Sequence, residues 1–276
     1  MEGPFFSEKK KGAQNGAYLR LPDFEAFRAL YEASEGLLRI VDVAAELPGA
    51  VDFAAQAAKL CTVSIAHTDC SYEDAAAVFA AGARHLTHLY NAMPGIHHRK
   101  PGVIPAAVEN EQVSAELISD GQHVHPASVR LAFRMFGPAR MVLISDSLRC
   151  CGMPDGEYEL GGQPIEMKGG KATLRGTDTL AGSSSNLLSE LQNVVAFGLP
   201  LEDAVTALTL APARAVRLDH QIGSLAVGKQ ADLVLLGLCC AATLYGMALI
   251  ASATRYLNIG GIVRLSLIHI SEPTRP

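Results

Sequence analysis

The first half of the chain alternates short apolar runs with alanine-rich segments. Five apolar runs have the length of β-strands, and they cover residues 37–43, 62–66, 85–89, 113–118 and 141–144. Three of the intervening segments have a helix-like composition, at residues 53–59, 72–81 and 126–136. Strands that alternate with helices indicate βα units and a parallel sheet, so the pattern predicts an α/β fold.

Polar side chains follow the predicted strands. His67, His88, His123 and Asp146 all lie at, or just after, the carboxyl end of an apolar run. In a parallel barrel the active site is built at that end of the strands. A doubly wound open sheet also binds ligands there, so the pattern alone leaves both architectures open.

The pattern changes after residue 146. Residues 156–174 are rich in glycine and alternate polar with apolar positions, which predicts two or three antiparallel strands. Helices are predicted at residues 184–197 and 201–216, with the serines at 183–185 as candidate N-caps of the first. A turn near residue 223 and a last strand at residues 228–236 complete this part.

Composition narrows the class of protein. The 276 residues are 49% hydrophobic, and the formal net charge is −5 with no basic stripe, so we expect no nucleic-acid partner. The six cysteines include the adjacent pairs Cys150-Cys151 and Cys239-Cys240. Adjacent pairs seldom form a secreted disulfide framework, and the first residues carry no signal-peptide pattern, which favours a reduced, cytoplasmic protein.

The histidines and carboxylates suggest metal chemistry. Two histidines at the ends of successive strands, with one carboxylate, can form a zinc or iron site that leaves one position for water. The metal lowers the pKa of that water, and a second carboxylate is then needed to move the proton to a leaving amine. Asp146 is placed for this role. A single histidine after a strand is more often structural, so the residues alone leave both interpretations open.

Several motifs in order along residues 2–237 resemble one family. They are residues 2–5 (EGPF), 66–68 (AHT), 87–93 (THLYNAM), 120–123 (DGQH), 145–146 (SD), 180–183 (LAGS), 211–215 (APARA) and 228–234 (GKQADLV). This set resembles the N-acetylglucosamine-6-phosphate deacetylase family of the amidohydrolase superfamily. The resemblance implies a TIM-type (β/α)8 barrel with a small β-sandwich domain.

The resemblance also implies roles for individual residues. The positions that match metal ligands are Glu2, His67 and His88, with zinc as the expected divalent metal and iron as the alternative. Asp146 matches the catalytic aspartate that acts as general base and then as general acid. The positions that match substrate contacts are Asn91, Ala92, Arg99 and His123. Arg99 matches the phosphate-binding arginine, whose guanidinium can bind a phosphate in a bidentate way.

The implied reaction is hydrolysis of an amino-sugar phosphate. N-acetylglucosamine 6-phosphate would yield glucosamine 6-phosphate and acetate. The implied partner is this small molecule, in a cytoplasmic protein that is a possible homodimer.

The chain departs from the family at three places. Family members carry further residues before the EGPF motif, so we expect an incomplete barrel with remnants of the β-sandwich. Gln14 stands where the family often has histidine, and it can still donate a hydrogen bond to substrate. Residues 238–276 do not resemble the family, and we expect them to be foreign to the fold. Residues 233–254 are uncharged and long enough to cross a bilayer, but they begin in the family's last strand, so we expect no membrane partner.

These expectations give a division of the chain. Residues 1–155 form the partial barrel, residues 156–180 the sandwich-like strands and residues 181–220 the last barrel helices. Residues 221–237 form the last sandwich strand, and residues 238–276 the tail. Two alternatives stay open: another amidohydrolase, of aminoacylase or dihydroorotase type, or a catalytically inactive fragment.

Overall fold

The computed structural model describes residues 1–234, 236 and 265–266, and it divides the chain into two compact units, residues 1–223 and 224–276. A five-stranded sheet lies in the first unit, with the strands in sequence order. Its strands are β1 (Ile40–Val43), β2 (Thr62–Ile65), β3 (His85–Leu86), β4 (Ser114–Ile118) and β5 (Met141–Ile144). Every neighbouring pair is parallel, which confirms the predicted α/β class.

Helices precede and connect these strands. They are α1 (Phe24–Ala33), α2 (Ala50–Ala57), α3 (Tyr72–Ala80), α4 (Val103–Glu109) and α5 (Pro126–Phe136). A capping box between Ser71 and Asp74 begins α3, and Pro126 begins α5 at a position where its missing N–H costs nothing. Neither α1 nor α4 was predicted. The short α4 is almost wholly buried, so it lacks the polar face that marks a helix in sequence.

The main core lies between this sheet and its helices. Three phenylalanines pack edge to face, with ring centroids 4.9 Å apart for Phe5 and Phe53 and 5.6 Å apart for Phe27 and Phe53. All three side chains are almost completely buried. Edge-to-face aromatic packing contributes on the order of 1 kcal/mol per pair beyond the area buried. It fixes the segment after Glu2 against α1 and α2.

The carboxyl ends of four strands are followed by polar residues at one repeated position. His67 follows the last residue of β2 by two positions, and His88, Asp120 and Asp146 follow β3, β4 and β5 in the same way. Val43 pairs with Ile65, Ile65 with Leu86 and Ile118 with Ile144, whereas Leu86 pairs with Ala115, three residues before the end of β4. The four residues therefore all follow carboxyl ends of strands at one edge of the sheet, as the sequence predicted for three of them.

Three predicted boundaries were wrong. The strand at residues 85–89 ends at Leu86, because His88 adopts a left-handed φ of 32° that a strand cannot accommodate. The helix at residues 201–216 breaks at Thr209 into α7 (Leu201–Leu208) and α8 (Leu210–Ala215), because Pro212 lacks the N–H that would bond to Leu208. The N-cap of α6 (Leu187–Ala196) is Asn186 rather than a serine at 183–185.

An antiparallel sheet follows β5, as predicted. Its strands are β6 (Gly156–Leu160), β7 (Gln163–Lys168) and β8 (Lys171–Leu174), in the order β6-β7-β8. Ile165 and Met167 are buried in a small separate cluster with Cys150 and Ala181. The chain then returns to the large sheet through α6, α7 and α8.

The second unit contains a two-residue strand, β9 (Leu233–Val234), paired in parallel with β10 (Leu265–Ser266). The last strand predicted at residues 228–236 is thus limited to two residues where the structure describes it. Most of the predicted foreign tail and of the uncharged stretch at 233–254 lies outside the described residues. Among the residues that are described, no helix combines the length and apolar character needed to cross a bilayer.

Candidate metal centre and active site

Three predicted metal ligands converge at the strand edge. Glu2 Oε1 lies 3.0 Å from His67 Nε2 and 3.6 Å from His88 Nε2. The two Nε2 atoms lie 3.0 Å from each other. All three residues offer ligand atoms within 4.8 Å of one another, which is the arrangement that one cation can satisfy.

The backbone around these residues is strained in a shared way. His67, His88 and Asp146 have φ values of 45°, 32° and 48°. Residues other than glycine seldom adopt this left-handed region, and such outliers concentrate at functional sites. All three follow directly on buried strands, whose parallel pairing holds the strained turns in place.

His67 is held in a form that suits a metal ligand. Its Nδ1 lies 2.8 Å from the carbonyl oxygen of Lys10, and Phe6 stacks on its ring with centroids 4.3 Å apart. A carbonyl only accepts hydrogen bonds, so Nδ1 carries a proton and donates. In the neutral ring, Nε2 then bears the lone pair that faces Glu2 and His88. This second-sphere contact is typical of metal-binding histidines.

His88 rests on a buried polar network. Its backbone N–H donates to Glu116 Oε2 at 3.3 Å, and Glu116 Oε1 lies 3.0 Å from His85 Nε2. His85 Nδ1 contacts the Ser114 hydroxyl at 2.7 Å. Glu116 and His85 were not predicted as site residues, although each is a polar residue that interrupts an apolar strand, and such interruptions can be read from a sequence.

The charges within the ligand cluster oppose the effect of burial. Burial favours the neutral form of Glu2, but the contacts with His67 and His88 outweigh it and hold the pKa of Glu2 far below its usual range. Burial also lowers the pKa of His88, but the contact with the Glu2 carboxylate outweighs it and raises the pKa to about 9. The cluster therefore contains a carboxylate beside a protonated His88 ring, and a metal ion would replace the proton of His88.

Asp146 borders the same cavity as two of the ligands. A cavity of about 250 Å³ is lined by Glu2, Asp42, Thr87, His88, Glu116 and Asp146, with Met1, Ile40 and Ile144. Burial, and then the negative charge of Glu2, raise the pKa of Asp146 to about 6. A carboxyl group with a pKa near neutrality can both accept and return a proton.

A second acid, which was not predicted from the sequence, also lines this cavity. Asp42 is almost fully buried, and the Thr87 hydroxyl donates to its Oδ1 at 3.0 Å. The Ser64 hydroxyl contacts the Thr87 hydroxyl at 2.7 Å. Burial, and then the charge of Glu116, raise the pKa of Asp42 to about 7. Asp42 sits within β1, where only an interruption of the apolar pattern could have identified it.

His123 lies in the loop after β4 and is paired with a neighbouring acid. Its Nδ1 lies 2.7 Å from Asp120 Oδ2, and only 7% of each side chain is exposed. The His123 side chain is thus held by Asp120 in the loop that follows β4.

Gln14 lines a second cavity next to the ligand cluster. This cavity measures about 180 Å³ and is lined by Glu2, Gly3, Pro4, Phe6, Ala13, Gln14, Asn15, Tyr18, Leu19, Leu160 and Gly161. Glu2 borders both cavities. Gln14 and Glu2 thus line the same cavity, and the role of Gln14 beside the reacting amide stays a prediction.

Asn91 and Ala92 occupy the turn after His88. The Asn91 Nδ2 donates to the carbonyls of His88 at 3.4 Å and Leu89 at 3.3 Å. Ala92 has a φ of 52°, and its carbonyl accepts the N–H of Thr68 at 3.1 Å. Asn91 thus stabilises the turn that carries His88, and Ala92 ties this turn to the one that carries His67.

Arg99 is placed apart from these groups. It lies on an exposed stretch, and its Nη1 contacts His98 Nε2 at 2.6 Å. It lines neither of the two cavities. The structure thus brings together Glu2, His67, His88 and Asp146 but not the predicted phosphate-binding arginine.

The donor set fits a divalent metal. One carboxylate and two imidazoles are ligands that zinc and iron accept, and three protein ligands leave a position for water. The proton on His67 Nδ1 leaves Nε2 for coordination. The residues that the structure brings together are thus chemically suited to the metal that the sequence predicted.

Comparisons with known proteins agree with this geometry. The chain is 39% identical over 236 residues to the N-acetylglucosamine-6-phosphate deacetylase of Vibrio furnissii, a match that covers 85% of this chain and 59% of the relative. It is 36% identical to the Bacillus subtilis deacetylase of the same name, with 87% and 61% covered. An N-acetylgalactosamine-6-phosphate deacetylase of Escherichia coli O157:H7 is 35% identical, with 86% and 63% covered. The chain thus spans about three fifths of the length of the curated relatives it matches.

Solved structures support the fold. One is a mutant N-acetyl-D-glucosamine-6-phosphate deacetylase of Mycobacterium smegmatis in complex with N-acetyl-D-glucosamine-6-phosphate, with a TM-score of 0.81, 38% identity and coverage of 85% of this chain and 63% of that chain. The Thermotoga maritima enzyme gives a TM-score of 0.79 at 27% identity, with the same coverage. These similarities confirm the predicted TIM-type barrel, of which the described residues contain five parallel strands.

A sequence model of the amidohydrolase family covers most of the chain. The match runs over residues 40–264. It therefore extends past residue 237, where the resemblance to the deacetylase motifs ends. Since the match includes more than half of the chain, the chain belongs to the amidohydrolase family.

Proposed function

We propose that this protein is a metal-dependent hydrolase that removes the acetyl group from N-acetylglucosamine 6-phosphate. The observation that carries the proposal is the convergence of Glu2, His67 and His88, two of which, Glu2 and His88, line one cavity with Asp146. The deacetylases that the chain resembles, at 34–39% identity, support the choice of substrate class.

The proposed metal site consists of Glu2, His67 and His88, with zinc as the preferred ion and iron as the alternative. When bound, the ion supplies Lewis acidity, which lowers the pKa of water and polarises an amide carbonyl. Glu2 contributes the negative charge, and the two imidazole Nε2 atoms contribute neutral donors. The hydrogen bond from His67 Nδ1 to Lys10 keeps that ring in the coordinating form.

Asp146 is the proposed proton carrier. As a carboxylate it takes the proton from water while the water oxygen attacks the amide carbon. It then returns this proton to the nitrogen of the leaving amine, and the C–N bond breaks to give acetate and glucosamine 6-phosphate. The raised pKa of about 6 suits both steps near neutral pH.

The remaining predicted residues are proposed to bind the sugar phosphate. Gln14 lines the cavity on one side of Glu2, and His123 lies in the loop after β4, paired with Asp120. Asn91 and Ala92 shape the turn that follows His88. Arg99 is the proposed phosphate ligand, and its place on an exposed stretch suits a group that contacts the outer end of a substrate.

The setting of the reaction is also proposed. A cytoplasmic location is consistent with the free thiols of Cys61, Cys70, Cys150 and Cys151. We retain the possible homodimer and the division at residues 155, 180, 220 and 237 as proposals, with the segment after 237 foreign to the fold.

A second substrate has its own support. The Escherichia coli relative at 35% identity acts, by its name, on N-acetylgalactosamine 6-phosphate, which differs from the first sugar at one hydroxyl. Acetate release should therefore be compared for both sugars, and we expect a higher kcat/KM with N-acetylglucosamine 6-phosphate. An N-acyl amino acid and dihydroorotate test the other amidohydrolase types in the same assay.

The test needs metal analysis beside the activity assay. We expect bound zinc or iron and acetate release in the wild-type chain, and loss of both in His88→Asn. The matched control is His125→Asn, which replaces an exposed histidine at the N-cap of α5 by another good N-cap residue. Bound metal without acetate release from either sugar would contradict the proposal. Absence of both would support the inactive fragment.

A further inference from the structure

Asp120 lies at the same position relative to its strand as two of the proposed metal ligands and the proposed base do relative to theirs. It follows β4 by two residues, as His67 follows β2, His88 follows β3 and Asp146 follows β5. Only 7% of its side chain is exposed. A buried carboxylate at the active edge of the sheet is costly unless its oxygens are fully used.

Both oxygens of Asp120 are used within its own loop. Oδ1 accepts the backbone N–H groups of Gln122 and His123, each at 2.9 Å. Oδ2 lies 2.7 Å from His123 Nδ1. Burial favours the neutral acid, but the hydrogen bonds from His123 outweigh it and lower the pKa of Asp120 below its usual value. A carboxylate only accepts, so Nδ1 of His123 must carry the proton.

The loop that carries this pair is anchored on α6. The backbone N–H and the hydroxyl of Ser119 donate to Glu190 Oε2 at 2.5 Å and 2.6 Å. The Asn193 side chain donates to the Ser119 carbonyl at 3.0 Å. Both Ser119 and Glu190 are completely buried. The residue that precedes Asp120 is therefore fixed in place, so the Asp120 side chain can orient the His123 ring.

We propose that Asp120 is a positioning residue that fixes the proton of His123 on Nδ1 and leaves Nε2 as a hydrogen-bond acceptor for the ligand. Within the described residues no hydrogen bond engages Nε2. A ring held in this form takes a hydroxyl donor, such as a sugar hydroxyl, and disfavours a carbonyl or phosphate oxygen. The identity of the ligand rests on the proposed function, whereas the position of the proton does not.

Asp120→Asn tests this inference with little change of shape. The amide oxygen keeps the two backbone N–H donors, because the reverse orientation would direct the NH2 group at them. The NH2 group then faces His123 Nδ1, which must become the acceptor, and the proton moves to Nε2. We therefore expect the His123 ring to adopt one tautomer in the wild type and the other tautomer in Asp120→Asn.

The readout is the long-range ¹H–¹⁵N NMR spectrum of histidine-labelled full chain, followed to the high-pH limit. The His123 signals are assigned by their loss in His123→Gln. We expect a protonated Nδ1 in the wild type and a protonated Nε2 in Asp120→Asn. Asp23→Asn is the matched control, since Asp23 also accepts a backbone N–H, at the start of α1, and it should leave the His123 signals unchanged.

The wild-type spectrum tests the proposal even if the variant does not fold. A proton on Nε2 in the wild type, or an unchanged tautomer in folded Asp120→Asn, would overturn it. Binding of N-acetylglucosamine 6-phosphate is measured in parallel, with an expected loss of about tenfold in Asp120→Asn for one hydrogen bond. If the wild type does not bind the sugar but the tautomer shifts, the proposed function fails and the positioning role stands.

Discussion

The Nε2 atoms of His67 and His88 lie 3.0 Å apart, within hydrogen-bond distance. Two imidazole nitrogens can approach this closely in the absence of a cation only if one of them carries a proton. His67 already has its proton on Nδ1, bonded to the Lys10 carbonyl. The contact with Glu2 raises the pKa of His88 to about 9, against the effect of burial, so His88 supplies the shared proton at neutral pH.

Zinc binding should therefore release a proton. At pH 7 we expect about one proton per site from His88, and this number should fall as the pH rises through about 9. Isothermal titration calorimetry in buffers of different ionisation enthalpy measures it. His125→Asn should behave as the wild type, and zinc binding without proton release at pH 7 would contradict the tautomers assigned to the cluster.

Asp146→Asn should change the pH dependence of stability in the metal-free chain. Because burial raises the pKa of Asp146 from 3.8 to about 6, the folded state binds its proton more tightly than the unfolded state does. The stabilising effect is thus complete below about pH 4 and is lost as the pH rises through about 6. The amide of the variant stays neutral throughout.

The unfolding free energy of the wild type should accordingly fall relative to Asp146→Asn between pH 4 and pH 7. The expected change is on the order of 3 kcal/mol, from a shift of about two pKa units. Urea unfolding at several pH values in the presence of a chelator measures it. If the difference in unfolding free energy between the wild type and Asp146→Asn stays constant across this pH range, Asp146 does not titrate there.

Glu190→Ala should destabilise the fold more than an ordinary surface change. The carboxylate accepts two hydrogen bonds from Ser119 at the end of β4. Its loss leaves the buried Ser119 N–H without its acceptor and the hydroxyl with only the 3.4 Å contact to the backbone carbonyl of residue 190. The expected cost is about 1–3 kcal/mol in unfolding free energy. Glu190→Gln keeps an oxygen acceptor and should recover most of it.

The control for this experiment is Glu202→Ala, which removes an exposed acid in the first turn of α7. It should change the unfolding free energy by no more than about 0.5 kcal/mol. Equal effects of the Glu190 and Glu202 changes in urea unfolding would show that the anchor of the loop contributes nothing.

The sequence predicted the framework of this site because the relevant signals are local. An apolar run marks a buried strand. The residues that follow it lie at the carboxyl edge of the sheet, and this holds for any helix that comes next. His67, His88 and Asp146 could be identified on that basis. The family resemblance was needed to add Glu2, since a glutamate near a terminus carries no pattern of its own.

The polar residues beneath the site could not be identified in the same way. Asp42 and Glu116 lie inside strands, and their functions depend on which side chains the sheet brings opposite them, such as Thr87 and His85. Asp120 was visible in the DGQH motif, but its bond to His123 depends on the loop conformation. Side-chain pairing across strands is tertiary information, which periodicity does not carry.

Gly182→Ala should displace Asp146 through its backbone. Gly182 has a φ of 55°, and a Cβ atom there would lie 2.9 Å from the Asp146 carbonyl oxygen, which also accepts the Ser183 N–H at 2.7 Å. Gly176→Ala is the matched control, since Gly176 has a φ of 76° with open space around it and reports the cost of the left-handed conformation alone, about 1–2 kcal/mol. We expect Gly182→Ala to lose more stability than Gly176→Ala in urea unfolding and to reduce acetate release at least tenfold, whereas Gly176→Ala keeps its activity. Equal losses in the two variants would mean that the contact between Gly182 and Asp146 does not position the base.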